Sequence, residues 1–237
     1  MALWKRPLTS SEINYLKHRQ LRGGEDGLVG YWRLDEGTNS TAADSTPNGY
    51  NGTLTNSPQW ISSGAAIALS VISTNCLKFA GTGDYVSVAS AGDLNPYPLT
   101  VSSWFRTSKN YGSFQPIVAK YVNSSFDGWA LAVQGGQLRG FYYARAATNH
   151  AIDAVAGPIV TDDGWHHAAL VVDDNGGRLF LDGTMIATSA WAGTHGANTN
   201  AATLTLANLA DLVRRSPARW MKSRCGNAHC RRRKFLR

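Results

Sequence analysis

Four groups of side chains in this chain have the types and spacing to do chemistry. The first is the string "DSTPNGYNG", which brings Asp44, Asn48 and Asn51 oxygens and several loop carbonyls into a short span. Hard cations take such ligands, and calcium is the metal that suits them; the competing reading is a turn-rich loop whose Asp and Asn cap their own backbone. The second is His166-His167 in "GWHHAAL". Neighbours on a strand point to opposite faces, so the two cannot grip one metal, and one is expected inside with the other at the surface. The third is the carboxylates. Retaining glycoside hydrolysis needs two of them about 5 Å apart, which on a strand means positions i and i+2 or i+4. The only Glu residues are Glu12, Glu25 and Glu36; Asp35 and Glu36 are adjacent and therefore opposed, and Asp162-Asp163 sits in a turn. No hydrolytic dyad emerges, which argues against an enzyme. The fourth is the closing stretch "RWMKSRCGNAHCRRRKFLR". Cys225, His229 and Cys230 give three ligands and no second C-x-x-C pair, too few for a structural zinc site. Arg231 to Arg233 with Lys234 have the chemistry of a phosphate contact.

Charge is uneven. The formal net charge is +7 from 23 Lys and Arg against 16 Asp and Glu, but ten of the basic residues and no acid lie in 212–237. The other 13 basic residues against all 16 acids leave residues 1–211 at −3. A nucleic-acid reading would rest on the tail alone, and none is expected of the body. No apolar run approaches the roughly 20 residues of a membrane span, and the N-terminus lacks the apolar core of a signal peptide. Cys76 is the one cysteine before the tail, so no disulfide framework is expected.

The elements that must position these groups fall into three segments. In residues 1–24, "TSSE" is a capping box with Thr9 as cap and Glu12 reaching back; Ile13, Leu16 and Leu21 recur near helical spacing, and Gly23-Gly24 is the expected stop. From 25 to about 206 the sequence reads as short strands rich in β-branched and aromatic residues, such as "LTVSSWFRT", "PIVAKYV", "QLRGFYYA" and "HHAALVVDD", separated by Gly, Asn, Asp and Pro. Asn175-Gly176 and Asp182-Gly183 are the expected hairpin turns of a meander. The spacing predicts an all-β chain, a two-sheet antiparallel jelly-roll sandwich with a short N-terminal helix. From 207 the alternation gives way to basic sequence.

"GLVGYWRLDEGTNSTAADSTPNGYNGTL", "LKFAGTGDYVSV", "LTVSSWFRT", "DDGWHHAALVVD" and "GRLFLDGT" together resemble the laminin-G-like, concanavalin-A-like lectin/glucanase jelly roll, from Gly27 to about Leu206. The resemblance implies an extracellular or cell-surface module, often repeated in tandem, that binds glycan or a surface protein; neighbouring repeats of the same kind are then implied partners. Glucanases of this fold carry E-x-D-x-x-E, which is missing here, so a non-catalytic binding module is expected. A structural spacer, or an accessory module of a glycoside hydrolase whose catalytic domain is elsewhere, are the alternatives. Calcium would be held by Asp44, Asn48 and Asn51, near the final strand by resemblance. Exposed rings that stack on sugars are sought in Trp191, Tyr142 and Tyr143, with Arg139, Arg145 and His150 as polar neighbours.

The resemblance also implies an ending of the form D-E-V, then W-x-R-x-L-S-x-x-E-I. "ALWKRPLTSSEI" in residues 1–24 looks like such an ending, the helical tail of an upstream repeat. At the C-terminus it is missing in the frame as given. Trp and Met have single codons, so reading "WMK" one base upstream forces Asp-Glu. With permitted codons elsewhere, "RWMKSRCGNAHCRRRKFL" becomes "VDEVQVWKRTLSSAEIS". The expectation is therefore a jelly roll over 25–206 lacking its final strand, followed by a frameshifted, disordered 207–237.

Overall fold

The computed structural model describes residues 1–62, 75–80 and 83–207 in full, and the backbone of 210–214. In chain order its elements are β1 (Ala2–Trp4), α1 (Ser10–Leu16), β2 (Leu28–Tyr31), β3 (Thr41–Ala42), β4 (Gly52–Thr55), β5 (Gln59–Ser62), β6 (Asn75–Ala80), β7 (Tyr85–Val88), β8 (Leu99–Arg106) and β9 (Gln115–Val122). There follow β10 (Asp127–Gln134), β11 (Gln137–Tyr143), β12 (His150–Ala156), β13 (Trp165–Asp173), β14 (Gly176–Leu181), β15 (Thr184–Ser189), β16 (Leu204–Leu206) and β17 (Ala210–Arg214). Among the described residues they form two antiparallel sheets. The first runs β15-β14-β13-β8-β17-β6-β5, with β1 and β2 attached at β8; the second runs β12-β11-β10-β9-β16-β7-β4-β3. The predicted all-β sandwich with one short helix is what forms.

Alternation places the core. Leu99, Val101 and Phe105 of β8, Leu170 and Val172 of β13 and Leu179 of β14 meet Leu131, Val133, Leu138 and Tyr142 of the second sheet in one buried cluster. β13 is apolar on its other face too, because Ala169 and Val171 lie with Phe180 beneath a second cluster supplied by Trp4, Leu8 and Ile13. A strand covered on both sides loses its polar alternation, and the cover here is the N-terminal segment.

That segment was assigned by sequence to an upstream repeat, yet it packs on this sandwich. β1 pairs with β2 on one side and with Thr100–Ser102 of β8 on the other. Thr9 caps α1 as expected: its hydroxyl accepts from the Glu12 amide at 3.2 Å, and Glu12 accepts the Thr9 amide at 2.8 Å. The helix ends at Leu16, well before Gly23, because its last turn docks on the sheet. Trp104 donates its indole N–H to the Lys17 carbonyl at 2.9 Å, and Asn14 donates to the Gly183 carbonyl at 3.1 Å.

Two further expectations shift. The β13–β14 turn is Asp174-Asn175 instead of Asn175-Gly176, since Asp173 pairs with Gly176; the β14–β15 turn is Asp182-Gly183 as expected, with φ of +52° at Asp182 and +85° at Gly183. The expected end of the sandwich at 206 is also too early. β17 pairs with β6 throughout and touches β8 at Val213–Arg106. Its slot lies inside the sheet, where open backbone groups need partners. Cys225, His229, Cys230 and the basic run lie outside the described residues.

Candidate functional site: an aromatic face on the second sheet

The outer positions of β10 are Gly128, Ala130 and Ala132, flanked in register by Tyr121 and Ala119 of β9 and by Tyr143, Phe141 and Arg139 of β11. Small residues on the central strand leave room above it, and the larger rings on either side lean into that room. Gly128 has no alternative: at φ +125°, a Cβ would stand 2.0 Å from the Lys120 carbonyl oxygen. Tyr121 and Phe141 meet edge to face with centroids 4.8 Å apart, and Phe126 meets Tyr143 likewise at 5.6 Å. Phe114 lies 5.7 Å from Phe141. Phe114 and Phe126 are each 38% exposed, large for phenylalanine, and they border an open groove of about 370 Å³.

One ionic pair is set among the rings. Arg139 donates to both Asp153 oxygens at 3.0 Å and to Gln134 at 2.7 Å, with its guanidinium 5.2 Å from the Phe141 centroid. The Tyr143 hydroxyl donates to Asp153 at 2.6 Å. Burial, and then the hydrogen bond to Asp153, push the Tyr143 pKa well up, so the phenol stays neutral. The groove thus offers apolar ring faces beside a fixed carboxylate–guanidinium edge.

Behind the rim, Lys120 points inward from β9. Its ammonium is fully buried and donates to the Asn200 carbonyl and side-chain oxygens at 3.0 and 3.1 Å, to the Ala202 carbonyl at 2.7 Å and to Ser90 at 3.3 Å. Burial lowers its pKa to about 8, which leaves it charged at neutral pH. The 198–202 loop is tied a second time by Asp127, which accepts the Thr199 amide at 3.1 Å.

Of the residues expected to touch sugar, Tyr143 and Arg139 belong to this face, and the His150 ring adjoins it 5.4 Å from Tyr143. Arg145 is exposed in the β11–β12 turn with φ +64°. Tyr142 needs correction, and Trp191 stands apart from this face. Tyr142 is fully buried; its hydroxyl takes the Asn198 amide at 3.1 Å and donates to Gly196. Trp191 packs edge-on against Tyr142 and Tyr97 and spends its N–H on the Asp173 carbonyl at 2.8 Å. Tyr142 occupies the inward parity of β11 and presents no face to a ligand, whereas Trp191 is half-buried in the loop after β15, packed against the core. Phe114, Tyr121, Phe126, Phe141 and Asp153 were not singled out by sequence.

The Asp44 loop satisfies itself. Asp44 accepts the Tyr31 and Thr46 amides on one oxygen at 2.9 and 3.0 Å, and the Thr46 hydroxyl and Tyr50 amide on the other at 2.8 and 3.0 Å. Asn51 accepts the Asp44 amide at 2.9 Å, and Asn48 donates to the Val29 carbonyl at 2.8 Å. These oxygens face N–H and O–H donors, the turn-capping arrangement.

His166 and His167 divide as expected. His166 lies between Asp182 at 2.8 Å and Asp162 at 3.0 Å, and those two bonds raise its pKa against the effect of burial. Both ring nitrogens face carboxylates, an arrangement that favours the imidazolium form. His167 is buried against Trp104, with ring centroids 5.4 Å apart, and desolvation lowers its pKa to about 3.

The family described as the concanavalin A-like lectin/glucanases superfamily (Laminin_G_3) matches residues 80–218. No curated protein matches the chain. Among solved structures, the binding domain of Paraclostridial Mosquitocidal Protein 1 superposes with a TM-score of 0.60 at 15% identity, over 80% of this chain and 49% of that one. Trypanosoma rangeli sialidase gives 0.55 at 15% identity, over 89% and 36%. The receptor binding domain of a botulinum neurotoxin C/D mosaic gives 0.54 at 14% identity, over 79% and 46%. The chain spans half or less of each of these structures, and at such identities the likeness is one of fold.

Proposed function

The chain belongs to the concanavalin A-like lectin/glucanases superfamily, and from that premise we propose that it is a non-catalytic binding module whose outer aromatic face takes carbohydrate. The observation that carries this reading is the groove between Phe114, Phe126, Phe141 and Tyr143, with Arg139 and Asp153 at its edge. A pyranose has an apolar C–H face and a hydroxyl rim. Rings suit the first, and a preformed carboxylate–guanidinium pair suits the second without a new charge having to be desolvated. The binding-domain neighbours support the class of function, and extracellular or cell-surface exposure fits it. A protein ligand is the second reading, since exposed Phe and Tyr with Arg are also the residues of protein interfaces.

The test is a glycan array followed by calorimetry on the retained sugar. Tyr143→Ala and Phe126→Ala are each expected to weaken binding at least tenfold, about 1.4 kcal/mol, with unchanged circular dichroism. A wild-type chain that retains no glycan, or variants that bind as well as wild type, would remove the carbohydrate assignment. Pull-down of a protein abolished by the same substitutions would favour the second reading.

A further inference from the structure

The aromatic face has a direction. Phe126 immediately precedes Asp127, which opens β10, and Phe114 immediately precedes Gln115, which pairs with Val133 near the far end of that strand. Between these two rings runs an unbroken file. Phe126 to Tyr143 is 5.6 Å between centroids, Tyr143 to Phe141 is 5.7 Å and Phe141 to Phe114 is 5.7 Å. Phe141 is buried and forms the floor, while Phe114 and Phe126 stand out at the two ends. Each step is close to the length of one pyranose unit, so the file is longer than a single sugar needs.

Phe126 is held against local preference. Its backbone lies in the left-handed region, at φ +48° and ψ +55°. A residue with a large side chain is uncommon there, and Gly or Asn would serve the turn with less strain. A ring this exposed adds little to the core, so the position suits contact with a ligand better than it suits the fold.

The edge of the groove is electrically closed. Arg139 and Asp153 are the charged residues among the described ones that line it. Arg139 gives Nε and Nη2 to the Asp153 carboxylate and Nη1 to Gln134, and the Tyr143 hydroxyl occupies a further place on Asp153. A neutral ligand meets no unbalanced charge at this edge. An acidic sugar would have to compete with Asp153 for the guanidinium and lie beside that carboxylate.

Resting on the carbohydrate reading above, we propose that the groove takes a neutral, linear oligosaccharide lying along β10. One sugar unit corresponds to each of the three ring-to-ring steps from Phe126 to Phe114, and Asp153 is the residue that excludes acidic sugars. The site recognises a length of chain, with Phe114 and Phe126 as its end platforms.

The test is calorimetry on the full chain with gluco-, manno- and xylo-oligosaccharides of increasing length, and oligogalacturonates as the acidic series. Affinity in a neutral series is expected to rise at least about tenfold from monosaccharide to trisaccharide and to level off beyond it. Phe114→Ala and Phe126→Asn should each cut that gain short at the disaccharide. Phe126→Asn should do so with Tm close to the wild-type value, because asparagine tolerates the left-handed backbone; a large fall in Tm would make the ring a structural element and overturn its role as a platform. Asp153→Asn leaves the Arg139 charge unbalanced and should raise affinity for oligogalacturonate at least about tenfold; no gain would overturn the role given to Asp153. Affinity independent of chain length, or an acidic series that binds the wild type as well as a neutral one, would overturn this inference and leave the carbohydrate reading standing. Binding of no sugar in any series would remove both.

Discussion

Asp44 ties its loop with four accepted hydrogen bonds. Asp44→Ala leaves buried amides unpaired and is expected to cost about 2–4 kcal/mol in denaturant unfolding. Melts in calcium and in chelator are expected to coincide, since those oxygens are already filled; a calcium-dependent rise abolished by Asp44→Ala would make the loop a metal site. His167 sets an acid limit. Its folded pKa, near 3, lies below the ordinary value of 6.5, so between these values the unfolded chain binds the extra proton. Stability present above about pH 6.5 is then lost as pH falls towards 3, with a slope of up to about 1.4 kcal/mol per pH unit. His166 works in the opposite sense: its raised pKa contributes stability that fades as pH rises through the folded value. His167→Phe should flatten the acid limb, and an unchanged limb would place the sensitivity elsewhere. At this scale the sequence was partly legible. The division of the two histidines followed from strand parity, but in "FYYA" both parities are aromatic, so nothing local says that Tyr142 turns inward and Phe141 outward. Asp153 reaches Arg139 only through the β11–β12 register, in which Phe141 faces Asp153.

Capping boxes are legible because both partners lie within four residues, and the one at Thr9 formed as read. Thr9→Ala is expected to cost about 1 kcal/mol, measured as a lower denaturation midpoint at constant m-value. The helix's far end was not legible, because a tertiary contact decides it: the Trp104 indole takes the Lys17 carbonyl. Strands were read well where alternation was clear. β13 is the instructive case. Its run of apolar residues fits either a buried strand or a helix segment by pattern alone, and the cover on its second face is supplied from the opposite end of the sequence.

For the whole molecule, the sandwich and the tail carry opposite charge. Residues 215–237 hold nine Lys and Arg and no acid, so ending the chain at Arg214 would change the formal charge from +7 to −2. Binding of DNA or heparin at low salt is expected to vanish with that truncation and to fall steeply with salt in the full chain, while glycan binding stays. Polyanion binding that survives truncation would put a cationic site on the sandwich. The fold class was the most legible property, since many short alternating strands with Gly, Asn and Asp turns admit few other architectures. The path of the strands was not, because it depends on which distant segments close the seam beside β8.

Lys120 gives the rim of the aromatic face an ion that cannot leave. Its ammonium sits among oxygens of Asn200, Ala202 and Ser90 much as a bound metal would, but it is covalently part of β9. Occupancy of that position therefore has no dissociation constant. Chelators cannot strip it and dilution cannot empty it, so its hold on Asn200 and Ala202 of the 198–202 loop does not depend on a supply of free cation.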